Sequence, residues 1–164
     1  MTAVHRPHDP RHGAHWNLDA AVALATAAHA GQVDKAGRPY IEHPLRVMDR
    51  VSGEHEKTVA VLHDVLEDTD VTAADLHMHG CPQNVIRAVE ALTKLPGEPL
   101  AESIARAAAD PIARIVKRCD VADNTDPGLL ELLDPDHRMR LEAKYADTLR
   151  LLAEYSPGHA SSRG

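Results

Sequence analysis

The sequence predicts an all-α domain, a bundle of about seven or eight helices, on three observations. No stretch alternates apolar and polar residues over a length useful to a β-strand. Hydrophobic residues make up 43% of the 164 but aromatics only 2%, with no Phe and one Trp. The core must therefore be built from Ala, Leu, Val and Ile, a palette that suits closely packed helices. Helix-start residues also recur ahead of the apolar segments, among them Asn17, the Thr72 to Asp75 box, Asp110-Pro111 and Asp134-Pro135.

The elements follow in order. Residues 1–15 hold four His and little to bury, and are expected to form a flexible His- and Pro-rich arm. Asn17 caps a first helix whose Leu18, Ala21, Val22, Leu24, Ala25 and Ala28 recur at helical spacing, with Gly31 as its stop. A polar loop, GQVDKAGRPY, leads to IEHP, where His43 is expected at the cap of a short helix running through Val51, with Pro44 at its first position. A third helix, from Glu54, carries Val59, Leu62 and Leu66 on its apolar side and His63, Asp64, Glu67 and Asp68 beside them. TAAD at 72–75 is a capping box for the fourth, and Pro82 opens the fifth. After the break KLPGEPL, helix resumes over 101–109, again from Asp110-Pro111 through Asn124, and finally from Asp134-Pro135 to near Tyr155. The expected organisation is one domain over 16–156 with a flexible tail at 157–164 and no internal repeat.

The formal charge of −7 argues against a general nucleic-acid binder, which needs a basic face. Cys81 and Cys119 form neither a CxxC pair nor a secreted disulfide framework, which favours a reducing interior. The longest uncharged apolar run, Ala20 to Ala28, is far short of the roughly 20 residues that span a bilayer, so no membrane association is expected. A cytoplasmic protein is expected. Its Ala-rich helices leave a homo-oligomer open, although an apolar stripe is more often internal core.

The chemistry concentrates at residues 63–70, HDVLEDTD. On a helix His63 and Asp64 lie about 100° apart, within reach of one cation, while Glu67 and Asp68 sit one turn further on. Acids this close repel, and at a helix C-terminus the dipole disfavours them, so the placement calls for a positive partner. Taken alone, the stretch reads equally as a solvated helix end running into a turn. His43 and Asp120 shift the balance, because each adds a suitable ligand from another part of the chain. Two His and two Asp make a mixed N/O set suited to Mn²⁺, Fe²⁺ or another six-coordinate ion rather than a closed structural zinc.

AHAGQVDKAGRPYIEHPLRV, VAVLHDVLEDTDVT, ALT and VKRCDVADN, in that order, resemble the HD-domain hydrolases of the RelA/SpoT type, and among them the single-domain small alarmone hydrolases. The likeness spans residues 18–126. It implies an HD-domain helical bundle, with Mn²⁺ held by His43, His63, Asp64 and Asp120. It further implies that Glu67 and Asp68 orient and activate the water and handle protons, and that Lys35, Tyr40 and Asn124 line a nucleotide pocket. The implied reaction is hydrolysis of the 3′-pyrophosphate of guanosine tetra- or pentaphosphate to GDP or GTP and pyrophosphate. Where that family commonly carries basic or aromatic residues, this chain has Asp34, Val121 and Asp123. Two alternatives therefore stand beside the first: a metal-dependent phosphohydrolase of another nucleotide (an adenosine alarmone, a nucleoside monophosphate or NADPH), and a metal- or nucleotide-binding module without turnover.

Overall fold

In the computed structural model, which describes residues 15–158, ten helical segments follow one another. They are α1 (Leu18–Ala28), α2 (Glu42–Asp49), α3 (Glu54–Leu62), α4 (Val65–Asp68), α5 (Ala73–Met78), α6 (Gln83–Leu92), α7 (Leu100–Ala109), α8 (Pro111–Asn124), α9 (Pro127–Leu130) and α10 (Pro135–Tyr155). Two of them, α4 and α9, are single turns of four residues, so the longer helices match the expected number. The described residues contain no strand, and the bridge between Val33 and Pro39 is isolated. The all-α class is borne out. The arm expected at 1–15 and the tail expected at 157–164 lie outside the described residues, apart from His15, Pro157 and Gly158.

The helix starts obey the side chains that precede them. Asn17 Oδ1 accepts the Ala20 amide at 2.8 Å. Asp110 Oδ1 takes the amides of Ile112 and Ala113, both at 2.9 Å. Thr72 and Asp75 bond reciprocally as a capping box, and Asp134 Oδ1 accepts from the His137 amide. Each cap satisfies first-turn N–H groups that have no partner inside the helix.

Three expectations need correction. First, α2 begins at Glu42, so His43 is its second residue and not its cap. Both ring nitrogens of His43 lie instead against carboxylates on α8. Second, the helix expected to run from Glu54 past Leu66 is interrupted at His63-Asp64, where Asp64 has φ −103° and ψ −1°. Third, α9 adds a turn capped by Asp126, too short to leave a periodicity in the sequence.

The C-terminal half of α3 is enclosed on all sides, with Val59, Ala60, Val61 and Leu62 each 0% exposed, while Glu54 and His55 at its start are exposed. Helices α1, α2, α6 and α8 surround it, and Ala21 and Ala25 of α1 allow close approach because they carry no side chain beyond Cβ. Helix α10 packs on α7 and α8, with Leu151 and Leu152 against Ile104 and Ala108. The run Val59 to Leu62 is thus apolar because it forms the middle of the core. Its C-terminal end delivers His63, still buried at 3% exposure, to the edge of a cavity. Among the described residues, no helix is long and apolar enough to cross a membrane.

Candidate active site

The break between α3 and α4 creates the site. On an unbroken helix, adjacent side chains diverge by about 100°. Here His63 Nε2 and Asp64 Oδ2 converge to 3.0 Å. His43, from α2, brings its Nε2 to 3.0 Å from Asp120 Oδ1 and 3.8 Å from Asp64 Oδ2. Asp120, from the middle of α8, places the same Oδ1 3.4 Å from His63 Nε2. Of the four residues expected from the sequence, His43, His63 and Asp120 thus share one cluster, and Asp64 joins it through the two histidines while its carboxylate also lies within 4.8 Å of those of Glu67 and Asp68.

The orientation of each ring is fixed from behind. His63 Nδ1 donates to the Ala60 carbonyl oxygen at 2.6 Å, and a carbonyl can only accept, so Nε2 is the atom left to face the carboxylates. That Nε2 is buried and makes no hydrogen bond of proper geometry. His43 Nδ1 lies 2.7 Å from Asp123 Oδ2, which leaves its Nε2 turned toward Asp120. Asp123, 1% exposed, is held in turn by Arg46 at 2.9 Å. Asp120 Oδ1 accepts from Asn124 Nδ2 at 2.9 Å and its Oδ2 from Lys117 Nζ at 3.0 Å. The Tyr40 hydroxyl donates to Asp64 Oδ2.

Charge is correspondingly strained. Burial opposes a charge on the His63 ring, yet Asp64 and Asp120 hold its pKa well above the ordinary histidine value. His43 is raised against burial in the same way by Asp120 and Asp123. Burial also opposes the Asp64 carboxylate, but His63 and the Tyr40 hydroxyl bring its pKa down to about 2. Asp120 lies well below the usual range because Lys117, His43 and His63 outweigh its burial. An unpartnered imidazole nitrogen facing two carboxylates fits a cation. The ligand atoms of His43, His63 and Asp120 lie within 4.8 Å of one another, a donor set that suits a divalent metal.

Two outcomes follow. Protons on the raised histidines occupy the nitrogens that a cation needs, so binding must release them. Affinity for a divalent cation should therefore weaken as pH is lowered below the raised pKa values of His43 and His63, a loss that begins above the ordinary histidine range, by about tenfold per unit for each proton displaced. Titration calorimetry in buffers of different ionisation enthalpy counts those protons, and a pH-independent affinity would contradict this arrangement. Asp123→Asn weakens the hold on His43 Nδ1 and should lower cation affinity about 10–100-fold, as loss of an outer carboxylate on a ligating histidine does. Calorimetry checks this against an unchanged thermal melt.

The cavity beside the four residues has a volume of ≈ 460 Å³, within the range of small-molecule sites. Glu67, Asp68, Lys35, Tyr40 and Asn124 all border it, as the sequence leads one to expect. Glu67 is exposed to the cavity and its Oε1 accepts the Lys94 amide at 2.6 Å. Desolvation on the cavity wall, then the charges of Asp64 and Glu67, raise the pKa of Asp68. The polar ends of Tyr40 and Asn124 are committed to Asp64 and Asp120.

Sequence reasoning missed the basic wall. Lys117 from α8 and Lys144 from α10 also border the cavity, with Tyr145 beside them. Partial burial and the charge of Lys144 lower the pKa of Lys35, so these two amines repel each other at the opening. Such a pair is relieved by an anion between them. Lys117 stood three residues before Asp120 and Arg46 three after His43, spacings that share one helix face.

The three departures from the family pattern also resolve. Val121 is core, at 1% exposure, and Asp123 backs His43, so neither faces the cavity as the substrate wall. Asp34 borders it, but its Oδ1 accepts the amides of Ala36 and Arg38 at 2.8 and 2.9 Å. Its acid organises the 34–38 turn, which Gly37 closes with φ 79°.

An all-helical fold holding two histidines and two aspartates at one cavity wall defines the class, an HD-type domain. Searched against family models, the chain matches none. It is 33% identical over 129 residues to the guanosine-3′,5′-bis(diphosphate) 3′-pyrophosphohydrolase of Aquifex aeolicus, covering 71% of this chain and 18% of that protein. It is 30% identical over 167 residues to the probable GTP pyrophosphokinase of Mycobacterium leprae, covering 93% and 20%, respectively. The bifunctional (p)ppGpp synthase/hydrolase SpoT of Escherichia coli K12 is 37% identical over 83 residues, covering 48% and 12%. The chain thus spans a fifth or less of the length of these relatives. A solved structure titled as a metazoan ortholog of SpoT that hydrolyzes ppGpp shares the fold, with a TM-score of 0.70 at 22% identity over 87% of this chain and 88% of that one. The resemblance drawn from the motifs stands: this is an HD-type domain of the RelA/SpoT kind. That kind of domain implies a divalent metal, for which His43, His63 and Asp120 form a possible site.

Proposed function

We propose that the chain, through its 16–156 segment, hydrolyses the 3′-pyrophosphate of guanosine tetra- or pentaphosphate with Mn²⁺ as the cation, giving GDP or GTP and pyrophosphate. The observation that carries this reading is the convergence of His43, His63, Asp64 and Asp120 on a cavity whose other wall is basic. The names of the Aquifex and Escherichia relatives support the same substrate class.

When bound, the cation supplies a Lewis acid that lowers the pKa of a water and polarises a phosphate oxygen. The chain's own groups account for the rest. The water oxygen bonds to phosphorus, and the bond from phosphorus to the ribose 3′ oxygen breaks. Glu67 takes the water's proton, with its Oε1 steadied by the Lys94 amide. Asp68, with its raised pKa, is suited to return a proton to the 3′ oxygen. Lys35, Lys117 and Lys144 supply positive charge for the phosphates. Tyr40 and Asn124 keep Asp64 and Asp120 in place while bordering the nucleotide.

The test is a panel of guanosine and adenosine alarmones, nucleoside monophosphates and NADPH, incubated with purified protein and Mn²⁺ while pyrophosphate and phosphate are followed separately. Pyrophosphate released from the guanosine alarmones is the expected outcome. Phosphate released from a monophosphate or NADPH alone would move the activity to another nucleotide, and binding without turnover across the panel would leave a binding module.

A further inference from the structure

The segment between α6 and α7 reads in the sequence only as a break, KLPGEPL, yet it is closely tied. Arg106, on α7, donates from Nη2 to the Thr93 carbonyl oxygen at 2.7 Å and to Glu98 Oε2 at 3.0 Å, while its Nη1 pairs with Glu98 Oε1. Glu98 Oε2 also accepts the Leu95 amide at 2.9 Å, and the Glu98 amide donates back to the Leu95 carbonyl. The Glu98 side chain is only 7% exposed. Gly97, at φ 72°, makes the return that brings Glu98 over Leu95.

The peptide unit joining Thr93 to Lys94 is what matters. Its carbonyl is held by Arg106 and its N–H donates to Glu67 Oε1. In a planar trans peptide these two groups point in opposite directions, so fixing the carbonyl on one side aims the N–H at the other. A cation on the oxygen also polarises the unit and makes its N–H a stronger donor. Glu98 holds the guanidinium in the orientation this requires.

We propose that the Glu98–Arg106 pair is a positioning device for Glu67, acting through the Thr93-Lys94 peptide. The inference rests on the reading of Glu67 as the proton acceptor and adds the residues that set its carboxylate in place. Neither Glu98 nor Arg106 touches the four proposed ligands, so their effect should fall on the chemical step and not on cation binding.

The experiment uses the full chain with Mn²⁺ and the alarmone substrate, measuring kcat, KM and cation affinity for Arg106→Gln and Glu98→Gln, each alone and combined with Glu67→Gln. Misplacement of a reacting group can cost about 100-fold, and Arg106→Gln should lower kcat by about 10–100-fold with KM and cation affinity unchanged. In the Glu67→Gln background it should cause no further loss, because residues acting as one unit are not additive. Amide exchange at Lys94 should quicken in the same variant. Wild-type kcat in Arg106→Gln and Glu98→Gln, or an equal slowing with and without Glu67→Gln, would overturn the proposal. If Arg106→Gln does not fold, the isosteric Glu98→Gln carries the same cycle. The two readings separate cleanly: an inactive Glu67→Gln beside a fully active Arg106→Gln removes only the positioning device, whereas a fully active Glu67→Gln removes both.

Discussion

Asp120→Ala is expected to lose cation and turnover together. Outer partners of a ligating histidine are worth about 10–100-fold in metal affinity, and removal of a ligand itself should exceed the upper end of that range. Asp120 Oδ1 lies 3.0 Å from His43 Nε2 and 3.4 Å from His63 Nε2, and no other carboxylate reaches both from α8. The substitution also strands Lys117, whose raised pKa depends on Asp120 against the cost of burial. An uncompensated buried charge is itself destabilising, so the thermal melt should fall as well. Asp120→Asn keeps the volume and one oxygen but lacks the charge that balances Lys117 and the cation, so it should lose cation and stability as well, without the cavity that Ala leaves. Calorimetry with Mn²⁺ and pyrophosphate release are the two readouts. Wild-type Mn²⁺ affinity in a folded Asp120→Ala protein would sink the ligand assignment.

How far the sequence went can be traced residue by residue. His43, His63, Asp64 and Asp120 were legible because residue type and order along the chain carry them, whatever the details of the helices. Their support was not. Asp123 lies 80 positions from the His43 ring it holds, and nothing in the local pattern announces that pairing. The interruption at His63-Asp64 was hidden because VAVLHDVLED is a sound helical pattern, and tertiary convergence on one point overrode it. The dipole objection to the acids dissolves with it, since α3 ends at Leu62, before they begin. Asp34 was read by charge alone, whereas its short side chain bonding the amides of Ala36 and Arg38 makes it a turn former. Asp70, by contrast, is exposed at the bend before α5, the turn residue its position suggests.

Glu67→Gln is the second large effect, and it divides cation from chemistry. The substitution is isosteric, and the amide oxygen of Gln can still accept the Lys94 N–H that Glu67 Oε1 accepts at 2.6 Å. Glu67 is not one of the four proposed ligands, and although its carboxylate lies within 4.8 Å of that of Asp64, the isosteric amide keeps an oxygen there, so Mn²⁺ affinity should change little. What a carboxamide cannot do is take a proton from water, and loss of a positioned general base costs about 10²–10⁴-fold in rate. Single-turnover measurements at saturating substrate should show that loss in the chemical step, with KM unaltered. Asp68 is near enough for the charge of Glu67 to help raise its pKa, and its carboxylate lies within 4.8 Å of that of Glu67, so it is the group that would carry residual activity. Glu67→Gln with Asp68→Asn should therefore fall below Glu67→Gln alone, while both still bind Mn²⁺. Full activity in Glu67→Gln would take the proton-accepting role from this residue and leave the cation site standing, because Glu67 is not one of the four proposed ligands.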